Sequence, residues 1–99
     1  MSKSATQITE IKIDTLFVLD EETRFLADNF DKQKCQIIKT SAELAKVLNS
    51  KFQVKSIVIL VELDWGNDNL QFYGYEVAKA LMNSPNRQSK FNLLFMLQV

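Results

Sequence analysis

The residues best suited to chemistry in this chain are carboxylates that follow apolar runs. Asp20 and Glu21 follow one run, and a second run, Ile57–Val61, leads into Glu62 and Asp64. Because the carboxyl ends of parallel strands meet at one edge of an α/β sheet, where ligands bind, we expect these acids to lie close together. Carboxylate oxygens are ligands that Mg²⁺ prefers, and a cation relieves the repulsion between carboxylates. The pattern is compatible with a magnesium site formed by Asp20, Glu21 and Glu62.

The same acids also have a purely structural interpretation. Asp20, Glu21 and Glu22 precede a predicted helix, where negative charge suits the positive end of the helix dipole. On this interpretation Glu62 and Asp64 face solvent and bind nothing. Both interpretations stay open at the level of sequence.

The absence of histidine and the single cysteine narrow the possible chemistry. Without histidine the chain has no Ser-His or Cys-His nucleophile system and no histidine metal ligand. Cys35 cannot form an internal disulfide, and we expect a structural thiol there rather than an oxidation sensor. These features favour a protein that is not an enzyme.

The composition indicates one folded domain. Of 99 residues 46% are hydrophobic, two are glycine and one is proline, so the chain can build a core and is not of low complexity. Twelve basic residues balance twelve acidic ones, so neither nucleic-acid binding nor membrane binding is expected. No secretory signal or transmembrane run is visible. We expect a cytoplasmic protein with a flexible tail over residues 1–10 and an α/β domain over residues 11–99.

Alternating strand and helix patterns predict the order β-α-β-α-β-α-β. The central strand is Ser56–Asp64, whose consecutive apolar residues suit a strand covered on both faces. Right-handed crossovers then place helices on both faces of a parallel sheet. The other predicted strands are Ile11–Leu19, Lys34–Lys39 and Phe91–Leu97. Charged residues bracket Lys34–Lys39, as is typical of a strand at a sheet edge. The predicted helices are Thr23–Lys32, one that starts after Thr40, and one that starts after Phe72–Tyr75.

The first predicted helix has one apolar face. Phe25, Leu26 and Phe30 share that face, and we expect it to be buried. The third helix has a longer stripe, expected to be buried, at Val77, Ala78, Leu81 and Met82.

The second helix has a clear start signal. Thr40-Ser41-Ala42-Glu43 is a capping-box pattern, with Thr40 as the N-cap and Glu43 reaching back. Lys51–Lys55 is expected to connect this helix to the central strand. A polar, glycine-containing stretch, Trp65–Gln71, is expected to be a loop.

Three segments, in this order, resemble the receiver domain of response regulators. Phe17–Glu22 is similar to that family's first strand and acidic pair. Ile59–Leu63 resembles the third strand, which ends in the phosphoacceptor aspartate, and Gly74–Leu81 resembles the Gly-x-Glu start of the third helix. The resemblance implies a flavodoxin-like, three-layer α/β/α fold with strand order 2-1-3-4.

The departures from the receiver pattern imply a degenerate member. Glu62 stands at the acceptor position, with Asp64 as a rival acceptor, and Gln98 replaces the switch hydroxyl. The family's fifth strand, its lysine and its last helix have no counterpart before Val99. The resemblance therefore implies a pseudo-receiver that acts in signalling or assembly by binding proteins, without efficient phosphorylation. The alternative is a magnesium-dependent phosphoacceptor or phosphate-handling domain.

Two apolar segments are candidates for binding a protein partner. Trp65 and Tyr73 belong to an aromatic segment, Trp65–Tyr75, that can supply interface anchors. The last strand, Phe91–Val99, carries apolar residues that project to both faces, with Leu94, Phe95 and Met96 as the predicted contacts. An uncovered apolar edge strand is an aggregation hazard, so we expect a homodimer, strand addition from another protein, or the rest of a longer chain to cover it.

Overall fold

The structure is a computed structural model that describes residues 10–65 and 72–97. Within these ranges the strands are β1 (Glu10–Val18), β2 (Cys35–Ile38), β3 (Lys51–Leu60), β4 (Glu62–Leu63), β5 (Phe72–Tyr73) and β6 (Asn92–Met96), and the α-helices are α1 (Ser41–Leu48) and α2 (Gly74–Met82). A turn of 3-10 helix, Arg24–Ala27, lies between β1 and β2. Of the predicted tail, only Glu10 lies within the described residues, where it begins β1.

Four strands form one parallel sheet in the order β2-β1-β3-β6. The predicted α/β class with a parallel sheet is confirmed. The observed order differs from the predicted 2-1-3-4 because two unexpected short strands, β4 and β5, precede β6 in the chain. These two strands form a separate antiparallel pair, with Glu62 opposite Tyr73. β2 lies at one edge of the sheet, as its flanking charges predict, and β6 lies at the other.

The central strand starts and ends earlier than the sequence predicts. It runs from Lys51 to Leu60 and is paired on both sides, with β1 and with β6. Lys51–Lys55 is therefore strand rather than connection, because alternation lets Phe52 and Val54 pack into the core while their neighbours face solvent. The strand stops before Glu62, which begins β4.

Both α-helices pack on one face of the sheet, which we call the helical face. Gly74, the first residue of α2, lies against Ile59. Gln36, which is in register with Leu16, lines a cleft together with Ala45 of α1. Leu16 and Ile59 lie on the same face in the register of β1 and β3, so α1 and α2 cover the same side. The core between them includes Leu16, Val18, Ile38, Val47, Ile57, Ile59, Val77 and Leu81.

The start of α1 confirms the predicted N-cap. The Thr40 hydroxyl accepts a hydrogen bond from the Glu43 amide at 3.1 Å, and the Glu43 carboxylate accepts one from the Lys39 amide at 2.7 Å. Glu43 thus reaches one residue further back than a standard capping box requires. In α2 the predicted burial of Met82 is wrong, because this last residue of the helix turns toward solvent.

The predicted helix Thr23–Lys32 is reduced to the 3-10 turn Arg24–Ala27. Thr23, the residue before this turn, makes no side-chain cap, because its hydroxyl accepts from the Asp20 amide at 3.2 Å and donates to the Asp20 carboxylate. The start of a longer helix therefore lacks the side-chain partner that would satisfy its free amides. The expected buried face is also wrong, since Phe25, Leu26 and Phe30 are all exposed by at least 40%.

The β1–β2 pairing begins at Thr15. The amides of Asp14 and Thr15 both donate to the carbonyl of Lys34, at 2.8 and 3.2 Å, and β1 keeps one register with β3 along its length. In the half of the sheet beyond Thr15, the face opposite the helices carries the apolar residues Phe17, Val58 and Leu94.

Candidate functional site

Asp20 is buried at the end of β1 and its carboxylate is engaged by the protein itself. Its side chain is 3% exposed. One oxygen accepts hydrogen bonds from the Thr23 amide at 3.0 Å and the Thr23 hydroxyl at 2.8 Å, and the other accepts from the Asp64 amide at 3.1 Å. An aspartate that bonds to the backbone a few residues along the chain is a common way to fix a turn. Asp20 therefore holds β1, the 3-10 turn and the segment after β4 together.

The three predicted magnesium ligands do not form a metal-binding group. Glu21 is exposed and forms ion pairs with Arg24 at 3.6 Å and Lys39 at 3.3 Å. Glu62 is exposed on β4. Among residues 10–65 and 72–97, no group of three or more acidic or cysteine side chains could hold a metal ion. Asp20 turns inward to Thr23 while the two glutamates face solvent, and magnesium binding by Asp20, Glu21 and Glu62 stays a prediction.

The two candidate phosphoacceptors are exposed and lie in the segment that follows the central strand. β3 ends at Leu60, so Glu62 belongs to the separate β4–β5 pair. Asp64 is exposed and lines a shallow cleft of about 260 Å³ beside Glu21 and Lys39. Lys39, a cation of this cleft, is already paired with Glu21. The cleft can hold a small ion or water, but its described side chains present no preorganised group for phosphoryl transfer.

Trp65 packs in the interior, so its predicted role as an exposed anchor is wrong. The side chain is 8% exposed, and its indole N–H donates to the Leu19 carbonyl at 2.8 Å. A buried indole N–H usually finds a hydrogen-bond partner, and this bond ties Trp65 to the residue after β1. Tyr73 pairs through its backbone with Glu62, and its side chain and the predicted loop residues 66–71 lie outside the described residues.

The last strand presents the apolar surface that the sequence predicts. Leu94 is 56% exposed and Phe95 is 47% exposed, on opposite faces of β6, while Met96 is partly buried. β6 lies at the edge of the sheet and has β3 as its neighbour. Its role as a contact surface stays a prediction.

The sequence pattern missed a second apolar surface, which we call the open face. It is the apolar half of the sheet face opposite the helices, where Phe17, Val58 and Leu94 stand side by side in register. Phe30 packs on Phe17 with 4.9 Å between ring centroids. Phe25 lines a cleft of about 330 Å³ on this face with Leu26, Leu60, Met96 and Leu97. In the sequence, the sign of this surface was the set of three large apolar residues Phe25, Leu26 and Phe30 in an otherwise charged segment. Burial on one face of a helix explained the same three residues equally well.

In comparisons with known proteins, no family model, curated protein or solved structure matches this chain. Neither helix in the described part of the chain is long and apolar enough to cross a membrane. The geometry of the acids and of the two apolar surfaces therefore carries the functional proposal.

Proposed function

We propose that this protein is a non-catalytic interaction module with a degenerate, receiver-like and flavodoxin-like fold, and that it binds another protein by strand addition. A strand of the partner pairs with the outer edge of β6. The observation that carries the proposal is that β6 is an edge strand with exposed apolar side chains on both faces. A signalling or assembly role in the cytoplasm fits such a module.

The backbone of β6 is suited to accept another strand. The carbonyl of Met96 points toward β3, where it accepts from the Val61 amide at 2.9 Å. Alternate residues of a strand direct their N–H and C=O groups to opposite edges. The N–H and C=O of Phe95 therefore point outward, where a partner strand forms hydrogen bonds with them.

The side chains of β6 add apolar area to this edge. Leu94 projects to the open face and Phe95 to the helical face, both about half exposed. Full burial of such a side chain contributes about 1.5 to 3 kcal/mol, so burying the exposed half of each in a complex is favourable. Edge strands of monomeric proteins usually carry charged residues or proline that prevent pairing. β6 carries neither, since its sequence is Asn-Leu-Leu-Phe-Met.

The surroundings of the acids support the non-catalytic part of the proposal. The buried Asp20 carboxylate holds a turn through Thr23 and Asp64. Glu21 pairs with surface cations. Glu62, the residue at the family's acceptor position, lies beyond the end of β3 on a different strand. The alternative function, magnesium-dependent phosphoacceptance, has no comparable observation in its favour.

Site-specific photo-crosslinking tests strand addition directly. Phe95 is replaced by p-benzoylphenylalanine, and the chain is irradiated in an extract of the cells that produce it. We expect a discrete crosslinked species, because residue 95 lies within the proposed contact. The control places the same probe at Lys79, on the exposed side of α2. Equal crosslinking at both positions, or none at residue 95, would contradict the proposal.

A phosphodonor assay tests the non-catalytic part separately. The chain is incubated with Mg²⁺ and acetyl phosphate and its mass is measured. We expect no mass gain, since no described site presents a preorganised acceptor. A magnesium-dependent gain that disappears in Asp20→Ala would instead favour the phosphoacceptor function.

A further inference from the structure

We propose that a second copy of this chain covers the open face, with the strands of the two copies antiparallel. This contact is distinct from strand addition at the outer edge of β6. It uses the sheet face opposite the helices together with the 3-10 turn; it shares Leu94 with the strand-addition proposal but does not use the outer backbone edge of β6.

The open face carries apolar side chains on three neighbouring strands. Phe17, Val58 and Leu94 form a row, in which Phe17 is buried, Val58 is partly buried and Leu94 is exposed. Phe30 packs on Phe17 with its ring tilted and remains half exposed. Phe25 lines a cleft with Met96 and Leu97, and this cleft extends the open face to the end of β6. Parallel sheets are normally covered on both faces. Here the described residues cover the open face only with the 3-10 turn and the residues that follow it as far as Phe30.

The size of the surface matches what one side of a stable dimer needs. Its most exposed side chains are Phe25, Leu26, Phe30, Leu94 and Leu97, which are exposed by 40 to 78%. With about 150 Å² per side chain, the lower end of the range for aromatic residues, these exposed fractions present on the order of 400 to 500 Å² of apolar area. A standard interface buries about 800 Å² per partner, and homodimer interfaces are about 65% apolar, which is also about 500 Å².

The charges around the open face favour an antiparallel arrangement. Glu22 borders the cleft at the end where the strands stop. Toward the start of the strands, Lys12, Lys55 and Lys90 line a second cleft with one acid, Asp14, which pairs with Lys55 at 3.5 Å. Stacking two copies with antiparallel strands brings the acidic end of each toward the lysines of the other. The zero net charge of the chain adds no overall repulsion between copies.

Sedimentation velocity of the full chain at micromolar concentration tests the inference. We expect the wild type to sediment with twice the 11.4 kDa mass of the chain. Phe25→Asp and Leu94→Asp should sediment as monomers with unchanged circular dichroism, because both side chains are more than half exposed and a charge there is not buried in the monomer. Met82→Asp, at an exposed apolar residue of α2 on the helical face, is the matched control and should remain dimeric.

Charge reversal tests the antiparallel arrangement. Glu22→Lys and Lys12→Glu should each weaken the dimer at low salt, and the double variant should recover much of the loss. A double variant that is weaker than both single variants would exclude this orientation.

Other outcomes overturn the inference while leaving strand addition intact. A wild-type chain that stays monomeric at tens of micromolar would show that a second copy does not cover the face. A dimer that survives Phe25→Asp and Leu94→Asp but is lost in Phe95→Pro would place the contact at the edge of β6. A photo-crosslinker at Phe25 that captures only a different protein would assign the face to that protein.

Discussion

At the scale of single residues, Asp20 shows why an acid at a strand end is ambiguous. Its position after an apolar run is that of a ligand-binding carboxylate in many α/β proteins. The residue that decides its role is Thr23, three positions later, whose amide and hydroxyl both bond to one Asp20 oxygen. The amide of Asp64, which lies 44 residues after Asp20, bonds to the other Asp20 oxygen. The local pair could be anticipated from turn chemistry, but the distant one could not.

Asp20→Ala should lower the free energy of unfolding by about 2 to 4 kcal/mol, because buried donors of Thr23 and Asp64 lose their acceptor. Urea denaturation followed by circular dichroism measures this change. Glu21→Ala is the matched control, since Glu21 is an exposed neighbour whose ion pairs lie at the surface, and it should change stability by less than about 0.5 kcal/mol. Equal stability of the two variants would mean that the Asp20 hydrogen bonds do not hold the turn.

At the scale of elements, the junction between β3 and α2 depends on close backbone contact. The amide of Gly74 donates to the Val61 carbonyl at 2.7 Å. A Cβ atom at this position would meet the Leu60 carbonyl oxygen and would lie 2.8 Å from Cγ2 of Ile59. Only glycine lets the helix begin this close to the central strand.

Gly74→Ala should therefore destabilise the protein by about 2 kcal/mol or more, because the rigid backbone of β3 cannot move aside cheaply. Helix propensity alone predicts the opposite sign, a gain of about 1 kcal/mol. Urea denaturation distinguishes the two. Glu76→Ala, at an exposed position of the same helix, serves as the control and should stay within about 0.5 kcal/mol of the wild type. A stabilised Gly74→Ala chain would contradict the described contact.

The elements also show how far sequence reasoning reaches. The start of α1 was predictable, because Thr40 and Glu43 form their hydrogen bonds within a few residues. The edge position of β2 and the parallel sheet followed from charge and apolar patterns. The shortened helix after Thr23 was not predictable from periodicity, because Phe25 and Leu26 fit an amphipathic helix whether or not its start is capped. The start of β3 at Lys51 was missed because its alternation was attributed to a connection.

At the scale of the whole molecule, the two faces of the sheet differ in how they are covered. α1 and α2 cover the helical face, while the core also includes Phe17 and Leu60 on the opposite side of the sheet. Within residues 10–65 and 72–97, the open face is covered by the 3-10 turn and the residues after it, with Phe30 packed on Phe17. The candidate partner residues Leu94 and Phe95 were predictable as a strand with two apolar faces, but Trp65 was not predictable as buried, because its hydrogen bond to Leu19 joins segments 46 residues apart.

The central claim is that the outer edge of β6 receives a partner strand, and amide hydrogen exchange at Phe95 tests it most directly. Exchange is followed residue by residue in the dilute chain alone and with the protein that crosslinks at position 95. Leu16, in a strand paired on both sides, is the internal control. Strand addition predicts that protection at Phe95 rises by about tenfold or more while Leu16 is unchanged. Binding that leaves exchange at Phe95 unaltered would contradict the claim.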